Sequence, residues 1–183
     1  MVCSTIHHFV TELEQICATL EGFGYEVHNS HKATVKVDPR ISNLDNCLDS
    51  VRKCDVFFGI IRPEYGSGVV GKRSIFHQEV LEAVGLDKPR WVMVHRDVTT
   101  VRRLLKDVPL RQRRAILRKN PVIDDPRVFD IYDAAVRQEM PLAKRTGNWV
   151  QEYYKLEEIF TYLETQFEDV DRVRSICQGR GTP

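Results

Sequence analysis

Two titratable side chains, His77 and Glu79, stand two positions apart just after Ser74, and a glycine- and proline-containing stretch, Arg62-Pro63-Glu64-Tyr65-Gly66-Ser67, precedes them. Each residue type brings its own chemistry. An imidazole exchanges protons near neutral pH, and a carboxylate can face a developing positive charge or attack it. Tyr65 offers a ring for stacking, Gly66 lets backbone approach a ligand closely, and free amides at a helix start suit phosphate oxygens. Ser4 and Thr5 add two hydroxyls near the amino terminus. The set is compatible with a nucleotide. GxxxxGK[ST] does not occur, so the chain carries no P-loop, and the GxGxxG spacing of Gly66, Gly68 and Gly71 is by itself no dinucleotide fingerprint.

The elements that must position these residues read as alternating strands and helices. Val2-Cys3 ends a short strand, with Ser4-Thr5 expected to cap the helix of Phe9, Leu13, Ile16, Cys17 and Leu20. Gly22 and Gly24 end that helix before a second strand, Tyr25-Glu26-Val27-His28. Asp38-Pro39-Arg40 breaks the chain, and Ser42 with Asp45 opens a helix carrying Leu44, Cys47, Leu48 and Val51. The continuous run Val56-Phe57-Phe58-Gly59-Ile60-Ile61 suits a central strand covered on both faces. Ser74 caps the helix of Ile75, Phe76, Val80 and Ala83, which Lys88-Pro89 ends before the strand Trp91–His95. This order predicts an α/β fold with right-handed crossovers, a doubly wound parallel sheet of four to five strands. In such sheets the ligand crevice lies beyond the carboxyl ends of the strands, which selects Ser4, Thr5, Arg62, Tyr65, Gly66, Ser67, His77 and Glu79. Asp55, at the amino end of the central strand, is a weaker candidate.

Beyond Asp97 the pattern turns helical over Val98–Lys119, Arg127–Gln138 and Trp149–Phe167, with Pro121-Val122-Ile123 the one stretch that would add a strand. The expected organisation is an α/β domain over 1–123, a helical extension over 124–177 and a disordered tail over 178–183. The 27 basic and 26 acidic residues nearly cancel, so no overall field draws the chain to nucleic acid or membrane. Arg102, Arg103, Lys106, Arg111, Arg113, Arg114, Arg118 and Lys119 form a local basic run, but no aromatic residue interleaves it, and a solvated helical face is the simpler reading. Five cysteines without CxxC or metal-ligand spacing read as reduced thiols, which, with no apolar run long enough for a leader or a span, points to the cytoplasm. No metal site is expected.

The segments Ser4-Thr5, Asp38-Pro39-Arg40, Cys54–Ile61, Glu64-Tyr65-Gly66-Ser67, Ser74–Glu79 and Lys88-Pro89 together resemble the DUF4062 family, within the wider group of TIR-like and nucleoside deoxyribosyltransferase-like domains of flavodoxin-like fold. Asp124-Asp125-Pro126-Arg127 and Gly147-Asn148-Trp149-Val150-Gln151 resemble its second half. In the transferase relatives a glutamate is followed four residues on by a small residue and then by Lys-Pro, the layout of Glu79, Ala83 and Lys88-Pro89. The resemblance implies that Glu79 meets the ribose of NAD or a related nucleotide and serves N-glycosidic cleavage, as nucleophile or as the negative partner of an oxocarbenium-like state. Ser4, Thr5, Asp55, Arg62, Tyr65, Gly66, Ser67 and His77 would surround the nucleotide.

Bacterial relatives are fused to signalling NTPase modules resembling immune receptors, which implies a role in signalling or antiviral defence, as a homo-oligomer or with a separately encoded NTPase. The first strand departs from the family in having few apolar residues ahead of Ser4. Other readings of the same residues stand beside these. Glu79 can be a solvated carboxylate favoured by the helix dipole, His77 a packed or capping residue, and Tyr65 a cover for the sheet end. A module that senses a nucleotide, or assembles with partners, without catalysis is the rival function.

Overall fold

The computed structural model describes residues 1–66, 68–119 and 122–179, and its centre is a four-stranded parallel sheet. The strands are β1 (Val2–Ser4), β2 (Phe57–Ile61), β5 (Arg90–His95) and β6 (Val150–Tyr153), in the order β1-β2-β5-β6. Cys3 lies opposite Gly59, Gly59 opposite Val92, and Val92 opposite Val150. Residues 25–28, expected as a strand, are not assigned as one and run along the free edge of β1 instead. The links to it are the Val2 amide donating to the His28 carbonyl at 2.9 Å and the neighbouring Asn29 side chain donating to the Val2 carbonyl at 3.0 Å. A side-chain amide thus replaces one rung of a backbone ladder.

Period-two alternation splits the sheet residues between two layers. Val2, Phe58, Ile60, Met93 and Tyr153 pack against α1 (Val10–Gly22) and α7 (Leu156–Phe167), through Leu13, Ile16, Ile159 and Phe167. Cys3, Phe57, Ile61, Val92 and Val94 pack against α2 (Asn43–Lys53), α3 (Ile75–Gly85) and α6 (Val128–Ala135), through Val51, Phe76, Val80 and Ile131. Helices cover both faces, so the sheet is doubly wound in the flavodoxin-like manner.

Several local expectations are corrected. Ser4 and Thr5 do not cap α1, which starts five residues later with Phe9 at its cap. The Ser4 hydroxyl donates to the Ile60 carbonyl at 3.0 Å, tying the ends of β1 and β2 together. The helix expected over Val98–Lys119 is broken, because Pro109 separates α4 (Arg96–Leu104) from α5 (Leu110–Lys119). Trp149 to Tyr153 is not helical: Val150–Tyr153 is β6, so the second half of the chain supplies a strand of the sheet. Val122 and Ile123 form no strand, and Pro121 lies outside the described residues. The chain continues as α8 (Val170–Gln178), which reaches the start of the expected tail, and residues 180–183 lie outside the described residues. The loop after β2 contains a small hairpin, β3 (Val69–Val70) and β4 (Arg73–Ser74). No helix among the described residues is long and apolar enough to cross a membrane.

Gly59 marks how tightly the α2/α3 layer sits. A Cβ there would lie 2.9 Å from the fully buried Phe57 ring, which would have to shift against its packed neighbours. We expect Gly59→Ala to lower unfolding stability by about 1–3 kcal/mol, read as an earlier midpoint in chemical denaturation.

Candidate active site

β1 leads to α1 on one face and β2 leads to α3 on the other, so the space above their carboxyl ends is left open between diverging connections. A cleft of about 670 Å³ fills that space. The β1 loop supplies Ser4, Thr5 and His7, the β2 loop Tyr65 and Gly66, α2 Asn46 and Cys47, and α3 Ser74, Phe76 and Glu79. Its outer wall is the segment before α2, including Val35 and Val37. A larger hollow of about 810 Å³ lies at the far edge between β6 and α7, and none of the sequence-selected residues reaches it.

Glu79 sits in the second turn of α3, with the helix start fixed by the Ser74 hydroxyl, which accepts from the His77 amide. It lines the cleft yet is only 5% exposed. Burial pushes its carboxyl up to about 7, and the thiols of Cys3 and Cys47, hydrogen-bonded to it, pull in the opposite direction. Among the described residues no cation acts on it. Those thiols are themselves raised, first by burial and then by the Glu79 charge, that of Cys47 to about 11. The carboxyl therefore titrates where it can exchange a proton at neutral pH.

Tyr65 is a strut rather than a stacking platform. It is 1% exposed, its ring lies 4.4 Å beneath the Arg127 guanidinium, and its amide donates to Asp124 Oδ1 at 2.8 Å. Its phenol oxygen accepts from the Ser74 amide at 3.1 Å, which directs the phenol proton to His77 Nδ1, 2.8 Å away. Burial, followed by the charges of Arg73 and Arg127, pushes His77 down to about 4, so the ring is neutral and accepts that proton. His77 does not line the cleft; it positions Tyr65. Asp124 and Arg127, noted in the sequence only as a resemblance, thereby gain a physical role.

Gly66 has φ +91, and a Cβ there would meet Thr5 Cγ2 at 3.0 Å, so glycine is required twice over. Thr5 is 4% exposed, and its hydroxyl oxygen has no hydrogen-bond partner among the described residues. Arg62 does not line the cleft. Its Nη1 donates to the carbonyls of Thr5 at 3.2 Å and His7 at 2.7 Å, while Glu64 pairs with Nη2 at 3.1 Å and the Phe9 ring lies 4.4 Å below. It shapes the β1 loop. Asp55 lies at the opposite end of the sheet, on a hollow of about 270 Å³, and the structure does not bring it to the site. Ser67 lies outside the described residues.

Other motif residues are structural. Asn46 exchanges hydrogen bonds with the backbone of Asp38 and donates to the Ser42 carbonyl, which fixes the Asp38-Pro39-Arg40 turn under α2. Lys88 donates to the carbonyls of Arg52 and Cys54 and so closes the carboxyl end of α2, away from the cleft. Within the basic run, Arg102 pairs with Asp133, and Arg113 donates to the Val108 and Lys106 carbonyls. Sequence reasoning missed His7, Cys3 and Cys47 as neighbours of the site. The crevice rule reaches as far as the β1 loop, and period-two alternation puts Cys3 opposite in facing to Val2, but nothing in the sequence tells which face meets α3.

The Glu79 carboxyl has a stability signature. Its folded value of about 7 exceeds the ordinary 4.5, so folding binds a proton between those values. The cost of ionising it in place is absent below pH 4.5, grows as pH rises and is complete above pH 7, reaching ~3 kcal/mol. We expect the unfolding free energy of Glu79→Gln relative to the unaltered protein to rise by up to about that amount between pH 4 and pH 8. Paired denaturation curves at the two pH values measure it, and parallel pH dependence in both proteins would refute it.

Neither a curated protein nor a solved structure matches the chain. The profile of the domain of unknown function DUF4062 matches residues 1–165, which include every strand and the whole cleft. On that match, the chain belongs to the DUF4062 family.

Proposed function

We propose that the cleft binds a ribose-bearing nucleoside or nucleotide and cleaves its N-glycosidic bond, in the manner of TIR-like and nucleoside deoxyribosyltransferase-like domains. The observation that carries this reading is a carboxyl buried in the wall of a cleft at the switch point of a doubly wound sheet, with no cation among the described residues to neutralise it. Burying a carboxylate this way costs stability, and it becomes useful when a positive carbon develops beside it. The unpartnered hydroxyl of Thr5 supports the same ligand class. Left unpaired it costs about 1–3 kcal/mol, and a sugar hydroxyl would satisfy it. The start of α2, at Asn43, borders the same space with the positive end of its helix dipole.

A second reading draws on the occupied state of Tyr65 and His77. With the phenol and the imidazole held by each other, neither is free for proton transfer, as suits a module that binds NAD or a related nucleotide signal without turning it over. Assembly into a homo-oligomer, or with a separately encoded NTPase, fits either reading, as does a place in signalling or defence.

The test is hydrolysis of NAD and of nucleosides by the purified protein. Because the ionised carboxylate is the form that stabilises a cation, kcat/KM for NAD should fall about tenfold per pH unit below about 7 and level off above it. Glu79→Gln should lower turnover on the order of 100-fold or more. Equal turnover by both proteins would remove Glu79 from the chemistry, and calorimetric binding without turnover would favour the sensing module.

A further inference from the structure

Four side chains lining the cleft can carry or release a proton: His7, Cys47, Tyr65 and Glu79. Tyr65 is committed to His77 and Ser74, and the Cys47 thiol to Glu79. His7 is the remaining one. It is exposed, whereas Glu79 is buried, so the two groups stand at different depths of one cavity. Among the described residues no hydrogen bond takes a ring nitrogen of His7; the ring meets the His8 ring edge-on at 3.9 Å between centroids. The backbone beneath it is nonetheless held, by Arg62 Nη1 on its carbonyl and by the left-handed turn at His8, φ 54. A free proton carrier on an anchored loop, lining the same cavity as a buried carboxyl, supplies the two groups that departure of a poor leaving group requires.

We infer that His7 protonates the departing base while Glu79 faces the sugar, which makes purine nucleosides the substrate class of this cleft. The inference builds on the glycosidic reading of Glu79 given above. A sugar seated against the buried Glu79 leaves its base to the more exposed part of the lining, which includes His7 and Ile6. No lysine or arginine lines the cleft among the described residues, which favours an uncharged nucleoside over a ligand carrying several phosphates. In the reaction the C1′–N9 bond breaks and its electron pair stays with the purine, while the His7 imidazolium gives a proton to a purine ring nitrogen. Water supplies the hydroxyl that bonds to C1′. Its released proton passes to the Glu79 carboxylate and through solvent restores His7, so the products are ribose and the free purine. NAD and 4-nitrophenyl riboside differ in a telling way, because nicotinamide and 4-nitrophenolate leave without taking a proton.

His7→Gln separates the possibilities, and it keeps the carbonyl that Arg62 holds. The wild-type and His7→Gln proteins are each assayed with inosine and with whichever of 4-nitrophenyl riboside and NAD the wild type turns over. The expected result is a loss of about 100-fold or more in kcat/KM for inosine, with the proton-independent leaving group little affected. Equal rates for the two proteins on both substrates, or equal losses on both, overturn the acid role of His7 while leaving Glu79 in place. Turnover of the proton-independent substrates but not of inosine by the wild type also overturns it. No turnover of any of these by the wild type overturns the assignments of Glu79 and His7 together.

Discussion

Adjacent parallel strands whose connections leave on opposite faces cannot both be roofed by those connections, and the gap above β1 and β2 follows from that topological constraint. Every feature of the site is arranged around this gap. The Ser4 hydroxyl clamps the two strand ends at the Ile60 carbonyl, Arg62 gathers the β1 loop by two carbonyls, and Tyr65 braces the β2 loop against α3. None of these three contacts needs a ligand to form. The cavity is pre-shaped by protein-protein hydrogen bonds, and the Thr5 hydroxyl left over inside it is a group that the fold does not satisfy for itself.

The electrostatics of His77 and Glu79, both on α3, run in opposite directions for one physical reason. Burial disfavours charge, so the acid is raised and the base is lowered. His77 has thereby become a neutral hydrogen-bond acceptor, fit for holding Tyr65 and unfit for moving protons at neutral pH. Glu79 has moved toward neutrality and can be ionised or protonated there. Two residues that look alike as sequence candidates, two positions apart on one helix, are separated into a support and a reactive group by what each meets, the Tyr65 phenol for His77 and the cleft for Glu79.

The layered α/β architecture was legible because it depends on patterns that survive in a single sequence. The continuous run Phe57–Ile61, the Ser42 and Ser74 caps and the alternation of strands with helices each have a local cause. The failures are equally specific. Residues 25–28 carry a strand's composition but meet β1 through one backbone bond at His28 and the neighbouring Asn29 side chain, a choice made by tertiary contact. Val150–Tyr153 was absorbed into a helix because Tyr153, Leu156, Ile159, Phe160 and Leu163 continue an apolar stripe across the strand-to-helix junction at Lys155. At the site, the crevice rule located the strand-end loops but could not tell lining from bracing. Arg62 and His77 sit where a ligand contact is expected and instead hold the residues that line the cleft.

The buried thiols explain how Glu79 can be held at the edge of ionisation. Three elements meet at its carboxyl, β1 through Cys3, α2 through Cys47 and α3 through its own backbone. An arginine or lysine in either position would fix the carboxylate as a permanent ion pair, its charge spent before any ligand arrives. An apolar residue would remove a hydrogen bond that offsets burial and drive the carboxyl further toward its neutral form. A thiol is a weak donor, strong enough to orient the oxygens and too weak to quench the charge. The cysteines, which the sequence alone assigns to the core, are in this sense the part of the core that sets the state of the site.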